Sequence, residues 1–426
     1  MNAIPQLAVA AAAAQCGRLR ALLAACCLLA LCGCLQRADY DIPVDVKAAG
    51  QQAQWQLAGS FGGEAVVEQQ SADPWQVRFK PGGFVETAGI CVTDSEVWVC
   101  DLGISRIQIF DYDGNYLRST GEGVPIAGTL LTDKQLYAES NSRPKDPALK
   151  WENGPGARWV GQEGKLFKAA DVAVTAQGIV FADWAQTSVE RSPKRHAGVY
   201  LVNSAGGVVY APDRDINWPS FLAVAGTTIA FADPPGNVLT VGDMTDEKWP
   251  LHKVTAGNTF DRIMDAKTKY SGTDRYLKAM ELASNASSEP GKFDGLGGVA
   301  LAFDKLVACD SANYRLQVFE TRRADFNHWG RLIRVIPAQL ADGGLRFEAP
   351  LDVDVSNDGT VFVLNAARLD KLRNEIAVLN SRFERIGAFG KNELMAPVAV
   401  DVSPDGRHCF VSDRRSNLVY HYVAAD

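Results

Sequence analysis

The stretch that decides the fold reads Gly89-Ile-Cys-Val-Thr-Asp-Ser-Glu-Val-Trp-Val-Cys-Asp101, followed by Ser105-Arg-Ile-Gln-Ile-Phe-Asp-Tyr-Asp-Gly114. Two short apolar runs flank a Thr-Asp-Ser turn, and a third run ends at an Asp-Gly turn. A fourth run, Asn115–Thr120, follows directly. This order predicts an antiparallel sheet of four strands joined by short connections.

The same pattern recurs along the chain with a period of about forty residues. Its most regular feature is an Asp or Asn at the end of the second run: Asp101, Asp183, Asp233, Asp310, Asn365 and Asp413. A side-chain oxygen at a strand end can accept backbone N–H bonds, so we expect these residues to fix the loop that follows. Arg106 and Arg315 lie five residues after Asp101 and Asp310, and we expect each to pair with its Asp or to line the same rim.

This pattern resembles the NHL-repeat family of β-propellers from about Phe84 onward, in copies at 84–121, 167–211, 217–256, 293–336, 347–390 and 396–424. The resemblance implies four-stranded blades around a central channel. The last copy has three strands, and residues 53–62 resemble a detached fourth. We therefore predict an all-β, six-bladed propeller over 53–426. Residues 122–163 are an insertion or a decayed seventh blade, and 258–290 form a small helical insertion.

The N-terminal region carries an export signal. Residues 21–33 form an apolar run behind Arg18 and Arg20, as in a signal peptide. The run ends in Leu31-Cys32-Gly33-Cys34, which resembles a bacterial lipobox. The competing Leu23-Ala24-Ala25-Cys26 leaves too short an apolar run. We expect cleavage after residue 33, a lipid on Cys34 and a tether over 34–52. The alternative is a plain signal peptide or a short membrane anchor.

Charge and cysteine usage restrict the remaining choices. The net charge is −7 and no block of basic residues occurs, which argues against nucleic-acid binding. Neither Leu35 nor Gln36 resembles the Asp-type retention signal of inner-membrane lipoproteins, so by that resemblance we expect the outer membrane, on its periplasmic or surface face. Cys91 and Cys100 lie on adjacent strands of one hairpin. They are either a disulfide or two buried free thiols, and no Cys pair has metal-type spacing.

The chain lacks the motifs that mark an enzyme. No nucleophile elbow, Walker loop or dinucleotide fingerprint occurs. Amidating lyases of the NHL type hold zinc with histidines, but the five here share no blade position: His196, His252, His328, His408 and His421. Gluconolactonase-like propellers hold calcium in the channel. Asp171, Asp352 and Asp401 offer acidic groups there, and we expect no cofactor, with calcium as the exception to test.

Three functions remain open. The first is a non-catalytic binding or scaffold lipoprotein that presents loops to an envelope protein or a polysaccharide. The second is a propeller hydrolase or lyase that works with a channel metal. The third is an accessory subunit of an outer-membrane complex, which rests on fold analogy alone. The sequence leaves open whether the protein is an enzyme and favours the first function.

Overall fold

Six antiparallel sheets of four strands each form a ring in the computed structural model. The structure describes residues 54–69, 78–103, 106–120, 169–183, 198–202, 208–210, 219–244, 252–253, 286–321, 330–366 and 374–425. These residues all belong to one compact unit, Pro43–Asp426. The predicted all-β, six-bladed propeller is confirmed. Helical structure in the described ranges is limited to the 3-10 turns Pro234–Gly236 and Ser311–Asn313.

The strands follow the repeat that the sequence predicts. Before the first blade lie β1 (Trp55–Gly62), β2 (Val67–Gln69) and β3 (Arg78–Phe79). Blade 1 consists of β4 (Thr87–Val92), β5 (Val97–Asp101), β6 (Arg106–Phe110) and β7 (Tyr116–Thr120). Blade 2 consists of β8 (Ala169–Thr175), β9 (Gly178–Asp183), β10 (Gly198–Val202) and β11 (Val208–Tyr210). Blade 3 consists of β12 (Phe221–Ala225), β13 (Thr228–Asp233), β14 (Val238–Asp243) and β15 (His252–Lys253).

The second half of the ring has the same build. Blade 4 consists of β16 (Leu296–Ala302), β17 (Lys305–Asp310), β18 (Arg315–Glu320) and β19 (Leu332–Pro337). Blade 5 consists of β20 (Pro350–Val355), β21 (Val361–Asn365), β22 (Glu375–Leu379) and β23 (Arg385–Phe389). Blade 6 contributes β24 (Pro397–Val402), β25 (His408–Asp413) and β26 (Leu418–Ala424). None of these described elements is a helix that is long and apolar enough to cross a membrane.

The ring closes with six blades. The first strand of each blade lies at the axis and contacts its counterpart in the next blade, from β4 through β8, β12, β16, β20 and β24 back to β4. Because β4 packs directly on β8, no further blade stands between them. Residues 122–163, expected to be an insertion or a decayed seventh blade, lie outside the described residues, as do residues 258–285 of the helical insertion expected at 258–290. Residues 286–290 are described and contain no helix.

The sixth blade is completed from the other end of the chain. Strand β1 pairs antiparallel with β26, with Trp55 opposite Ala424 and Gly62 opposite Leu418. The Trp55 ring stacks on Phe389 of blade 5 at a centroid distance of 4.8 Å. This is the pairing that the detached fourth strand predicts. It covers the outer edge of β26, which would otherwise present unpaired backbone groups.

The core lies between neighbouring blades. Strands β5, β17 and β21 are buried along their whole length because their sheets are covered on both faces. Between blades 6 and 1, Phe410 and Val419 pack with Phe84, Phe110 and other buried residues of the first blade. Each fully buried aromatic or branched side chain contributes about 1.5–3 kcal/mol. Rigid contacts of this kind fix the loops at the two ends of the channel.

Candidate functional site

One face of the ring carries all of the repeated Asp and Asn positions. Antiparallel pairing places the last residue of the second strand opposite the first residue of the inner strand, as in Thr87 opposite Asp101 and Pro350 opposite Asn365. The inner strands therefore all begin at this face. It contains one mouth of the central channel.

The repeated Asp and Asn side chains hold the segments that lead into the inner strands. Asp101 Oδ1 accepts the N–H groups of Val85 and Glu86 at 3.1 and 3.2 Å. Blades 4, 5 and 6 have the same kind of bond. Asp310 accepts the N–H of Asp294, and Asn365 accepts the N–H groups of Glu348 and Ala349. Asp413 accepts the N–H groups of Met395 and Ala396. The sequence alone suggests the following loop as the target, and the structure corrects this. The side chain projects past the sheet end toward the entering segment, and Asp413 additionally binds the loop after it.

Arginine and glutamine complete this arrangement in blades 1 and 4. Arg315 Nε lies 2.6 Å from Asp310 Oδ2, and its guanidinium donates to the carbonyls of Ser288, Glu289 and Lys292. Arg106 lies 3.5 Å from Asp101 and donates to the Gly83 carbonyl. The pairing predicted for the two arginines is thus present. Burial raises the pKa of Asp101 to about 6, against the opposing effects of Arg106 and the Glu86 N–H.

The glutamines were not singled out in the sequence. Gln317 receives the Gly291 N–H at 2.6 Å and donates to the Lys292 carbonyl at 2.7 Å. Gln108 makes the same two bonds with Gly82 and Gly83. The sequence does contain a signal for these glutamines. Pro-Gly-x-Phe occurs at 81–84 and 290–293, and each copy is followed by Arg-x-Gln, at 106–108 and 315–317.

A cavity of about 420 Å³ opens at this face and is lined by residues of blades 3, 4, 5 and 6. Its wall is made by residues at the starts of the inner strands and just after the repeated Asp and Asn. The lining comprises Phe221, Pro234, Gly295, Leu296, Ser311, Ala349, Leu351, Ala366, Asn374, Met395, Ala396 and Pro397. Ala349, Met395 and Ala396 are the residues whose N–H groups bind Asn365 and Asp413. Asn365 and Asp413 therefore hold the backbone of part of the cavity wall in place.

The chemistry of the cavity is apolar. None of its lining residues in the described part of the chain is ionisable, and the polar side chains are Ser311 and Asn374. Ser311 Oγ donates to the Pro350 carbonyl at 2.5 Å, and Asn374 Nδ2 donates to the Leu394 carbonyl at 3.1 Å. Met395 is 43% exposed and forms an accessible part of the rim. This wall suits an apolar ligand group, and its described residues include no acidic or basic side chain.

Below the mouth, carboxylates on the inner strands of blades 2, 5 and 6 bind the following blade. Asp171 Oδ2 accepts the Leu222 N–H of blade 3 at 2.7 Å. In blade 5, Asp352 and Asp354 accept the backbone N–H groups of Val400 and Val402. In blade 6, Asp401 accepts the backbone N–H of Val92. Asp171, Asp352 and Asp401 also bind the N–H of their own following residue. These acidic groups serve the joints between blades.

Burial dominates the titration of these carboxyls. It raises the pKa of Asp352 to about 7 and the pKa of Asp171 well above its usual range, the latter also through the nearby Asp352. The pKa of Asp401 is raised first by burial and then by the charge and hydrogen bond of Asp354. In the described ranges, no three His, Cys, Asp or Glu side chains converge in a way that could hold a metal ion.

The cysteines of blade 1 are free thiols. Cys91 stands opposite Trp98, so Cys100 lies at the diagonal position two residues beyond and not directly opposite Cys91. Diagonal neighbours across two strands are about 7–8 Å apart, too far for disulfide geometry. Cys91 and Cys100 are both buried, as are Cys309 and Cys409. Burial raises the pKa of the Cys91 thiol well above its usual range, which makes it a poor nucleophile.

The remaining residues that the sequence singled out lie either at strand positions of the ring or outside the described residues. Asp233 ends β13 and is buried, and Asp183 ends β9. Cys34, the signal peptide and the tether lie outside the described residues, as do His196 and His328. His252 is part of β15. His408 and His421, which share no blade position, lie side by side at the joint between blades 6 and 1.

Comparison with solved structures finds other propellers. A gluconolactonase from Xanthomonas campestris is 11% identical, with 87% of this chain and 99% of that chain covered and a TM-score of 0.48. The WD40 β-propeller domain of Doa1 is 11% identical, with 87% and 98% covered and a TM-score of 0.45. Neither a protein-family model nor a curated protein matches the sequence. Likeness at this level describes the fold alone.

Proposed function

We propose that this protein is a non-catalytic binding lipoprotein of the bacterial envelope, an NHL-type propeller that takes an apolar group of a protein partner into the channel-mouth cavity. The observation that carries this is the composition of the cavity wall, whose described residues include no ionisable side chain. Small-ligand sites are mostly apolar clefts of about 300–1,000 Å³, and this cavity falls within that range.

The apolar wall favours a protein over a polysaccharide. A sugar surface is rich in hydroxyl groups, and burying them without hydrogen-bond partners is unfavourable. The polar side chains of the wall, Ser311 and Asn374, already donate to backbone carbonyls. An apolar side chain on a peptide loses no hydrogen bonds when it enters the cavity. The whole hydrophobic free energy of its burial therefore favours binding.

The catalytic alternative, a hydrolase or lyase with a channel metal, receives less support. Such an enzyme needs carboxylates that are free to bind a metal or move a proton. Asp171, Asp352 and Asp401 instead each accept two backbone N–H groups. Metal analysis of the purified protein is the direct check, and stoichiometric calcium or zinc would favour the enzyme.

The binding site is tested by photocrosslinking in cells. A photoreactive residue at Met395, on the cavity rim, is compared with one at Leu117, on the outer strand of blade 1. The two side chains are 43% and 45% exposed, so they are matched in accessibility. We expect a discrete crosslinked protein from position 395 that is lost in the Leu351→Asp background. Equal crosslinking from both positions would reject the cavity as the site.

The anchor is tested separately. The lipobox resemblance at Leu31-Cys32-Gly33-Cys34 supports attachment through Cys34, with residues 35–52 as the tether and the outer membrane as destination. Palmitate labelling should be abolished by Cys34→Ala and retained by Cys26→Ala, the matched control at the competing site. Labelling that survives Cys34→Ala would refute this assignment. A partner that proves to be an outer-membrane assembly would make the protein its accessory subunit.

A further inference from the structure

In the described residues, three blades have a left-handed residue four positions after the repeated Asp. These residues are Asn237 in blade 3, Tyr314 in blade 4 and Asn417 in blade 6, with φ angles of 49°, 53° and 53°. Asparagine adopts this conformation several-fold more often than most residues with a side chain, whereas for a bulky residue it is strained. Tyr314 is therefore the exception among the three.

The two asparagines join neighbouring blades. Asn237 Oδ1 accepts the N–H of Leu296, the first residue of the inner strand of blade 4, at 3.0 Å. Asn417 Oδ1 accepts the N–H of Thr87, the first residue of the inner strand of blade 1, at 3.4 Å. In blade 5 the inner strand begins with Pro350, which has no N–H to donate. The joint between blades 4 and 5 thus has no such bond for an asparagine at position 314 to accept.

Burial does not offset the strain at Tyr314. Phe383 is also left-handed, with φ 63°, but it is 4% exposed, and its burial stabilises the fold. The side chain of Tyr314 is 56% exposed, so more than half of it remains in water. Residues that keep backbone strain of this kind cluster at binding sites and active sites. Tyr314 is therefore a candidate for a binding role.

Tyr314 lies beside the apolar cavity. Its N–H donates to the carbonyl of Ser311, a residue of the cavity wall, at 3.3 Å. Its own carbonyl accepts the N–H of Ala338, at the base of a hairpin that carries the exposed Leu345. Met395, on the cavity rim, is exposed as well. Tyr314 and Leu345 therefore add exposed apolar surface to the side of the cavity that blade 4 forms.

We propose that Tyr314 is a binding residue for the protein partner and that its ring contacts the segment that carries the apolar group into the cavity. This rests on the proposed function, because it concerns the same site and the same partner. Tyrosine offers a large rigid contact surface with a hydroxyl that can stay at the wet edge, and it is enriched among the residues that dominate binding at protein interfaces. Position 314 thus serves binding at the expense of local stability.

The first test measures stability. Tyr314→Asn introduces the residue that blades 3 and 6 have in the same backbone conformation. We expect the midpoint of urea unfolding to be equal to or higher than that of the unaltered protein, because the strain is relieved and much of the ring is already in water. A tyrosine retained for the stability of the fold would behave in the opposite way. A clear shift of the midpoint to lower urea would overturn the proposal.

The second test uses photocrosslinking in cells. A photoreactive phenylalanine analogue at position 314 keeps an aromatic ring there and should capture the same protein as one at Met395. Tyr314→Asn should lower the capture from position 395 about tenfold or more. Phe303→Asn is the matched control, because Phe303 is also an exposed aromatic residue with a left-handed φ of 50°. It lies in the turn between β16 and β17, at the opposite end of blade 4, and its replacement should leave the capture unchanged.

The outcomes separate this proposal from the proposed function. Undiminished capture from position 395 in Tyr314→Asn, or capture from 395 but none from 314, overturns the role of Tyr314 and leaves the cavity as the site. Capture of a protein from 314 but none from 395 supports Tyr314 and overturns the cavity. A captured polysaccharide in place of a protein, or no capture from either position, overturns both.

Discussion

The carboxylate of Asp352 in blade 5 accepts the backbone N–H of Val400 in blade 6 at 2.8 Å. Asp401 repeats the relationship one blade further on, with Val92 of blade 1 at the same distance. Neighbouring blades share no sheet hydrogen bonds, so these side chains provide directional contacts where packing alone would otherwise act. They set the rotation of one inner strand relative to the next.

The space beside Asp352 is the first feature to test. A Cβ added at Gly298 would lie 1.7 Å from Asp352 Oδ1, so Gly298→Ala must displace the carboxylate. We expect a loss of about 1–3 kcal/mol in the free energy of unfolding, measured by denaturant titration. Gly387→Ala is the matched control because no atom lies within 4 Å of its Cβ position, and it should change stability by less than about 0.5 kcal/mol. Equal effects would contradict this placement.

The raised pKa of Asp352 predicts a pH dependence of stability. The folded state holds a proton up to about pH 7, whereas the unfolded state releases it near pH 4, so stability falls as the pH rises through that interval. Between pH 5 and pH 8 this carboxyl should account for a loss of about 2–3 kcal/mol. In Asp352→Asn, this contribution to the pH dependence of the free energy of unfolding should be absent, as measured by denaturant titration at each pH. If the free energy of unfolding changes with pH in the same way in both proteins, the prediction is wrong.

Arg315 should be far more important than a surface arginine. Its removal leaves the buried Asp310 without its cation and takes one donor away from each of three loop carbonyls. We expect Arg315→Ala to cost about 3–5 kcal/mol, as measured by denaturant titration. Arg414 is 42% exposed and lies 3.3 Å from Glu86, so Arg414→Ala should cost less than about 1 kcal/mol. Similar losses would show that the buried pair adds little.

Ring closure by β1 is tested by truncation. A chain that starts at Gly63 loses the strand paired with β26 and the Trp55 ring stacked on Phe389. We expect a lower melting temperature and concentration-dependent association through the exposed edge of β26, seen by light scattering. A chain that starts at Ala53 keeps the strand and should remain monodisperse. Identical behaviour of the two chains would argue that blade 6 is stable with three strands.

The strands and the ring closure were accessible from the sequence because they depend on local signals. Alternating apolar runs, Asp-Gly turns and a phased Asp are properties of neighbouring residues, and so they predicted all six blades. The detached strand at 53–62 was recognisable because the last copy lacks its fourth strand. The Arg106 and Arg315 pairs followed from their fixed spacing to Asp101 and Asp310.

The contacts of the site depend on which strands become neighbours in space, and no local signal encodes that. The segment held by Asp101 lies fifteen residues upstream and that held by Asp413 seventeen or more, on the far side of an inner strand. Asp352 of blade 5 reaches Val400 in the neighbouring blade 6, and His408 meets His421 only because β25 and β26 pair in one register. The sequence by itself therefore determined the repeated blades and the strand that closes the ring, but it left open whether a seventh blade was present. Tertiary structure decided the cavity, the channel bonds and the histidine pair, because each is formed by residues that only the closed ring brings together.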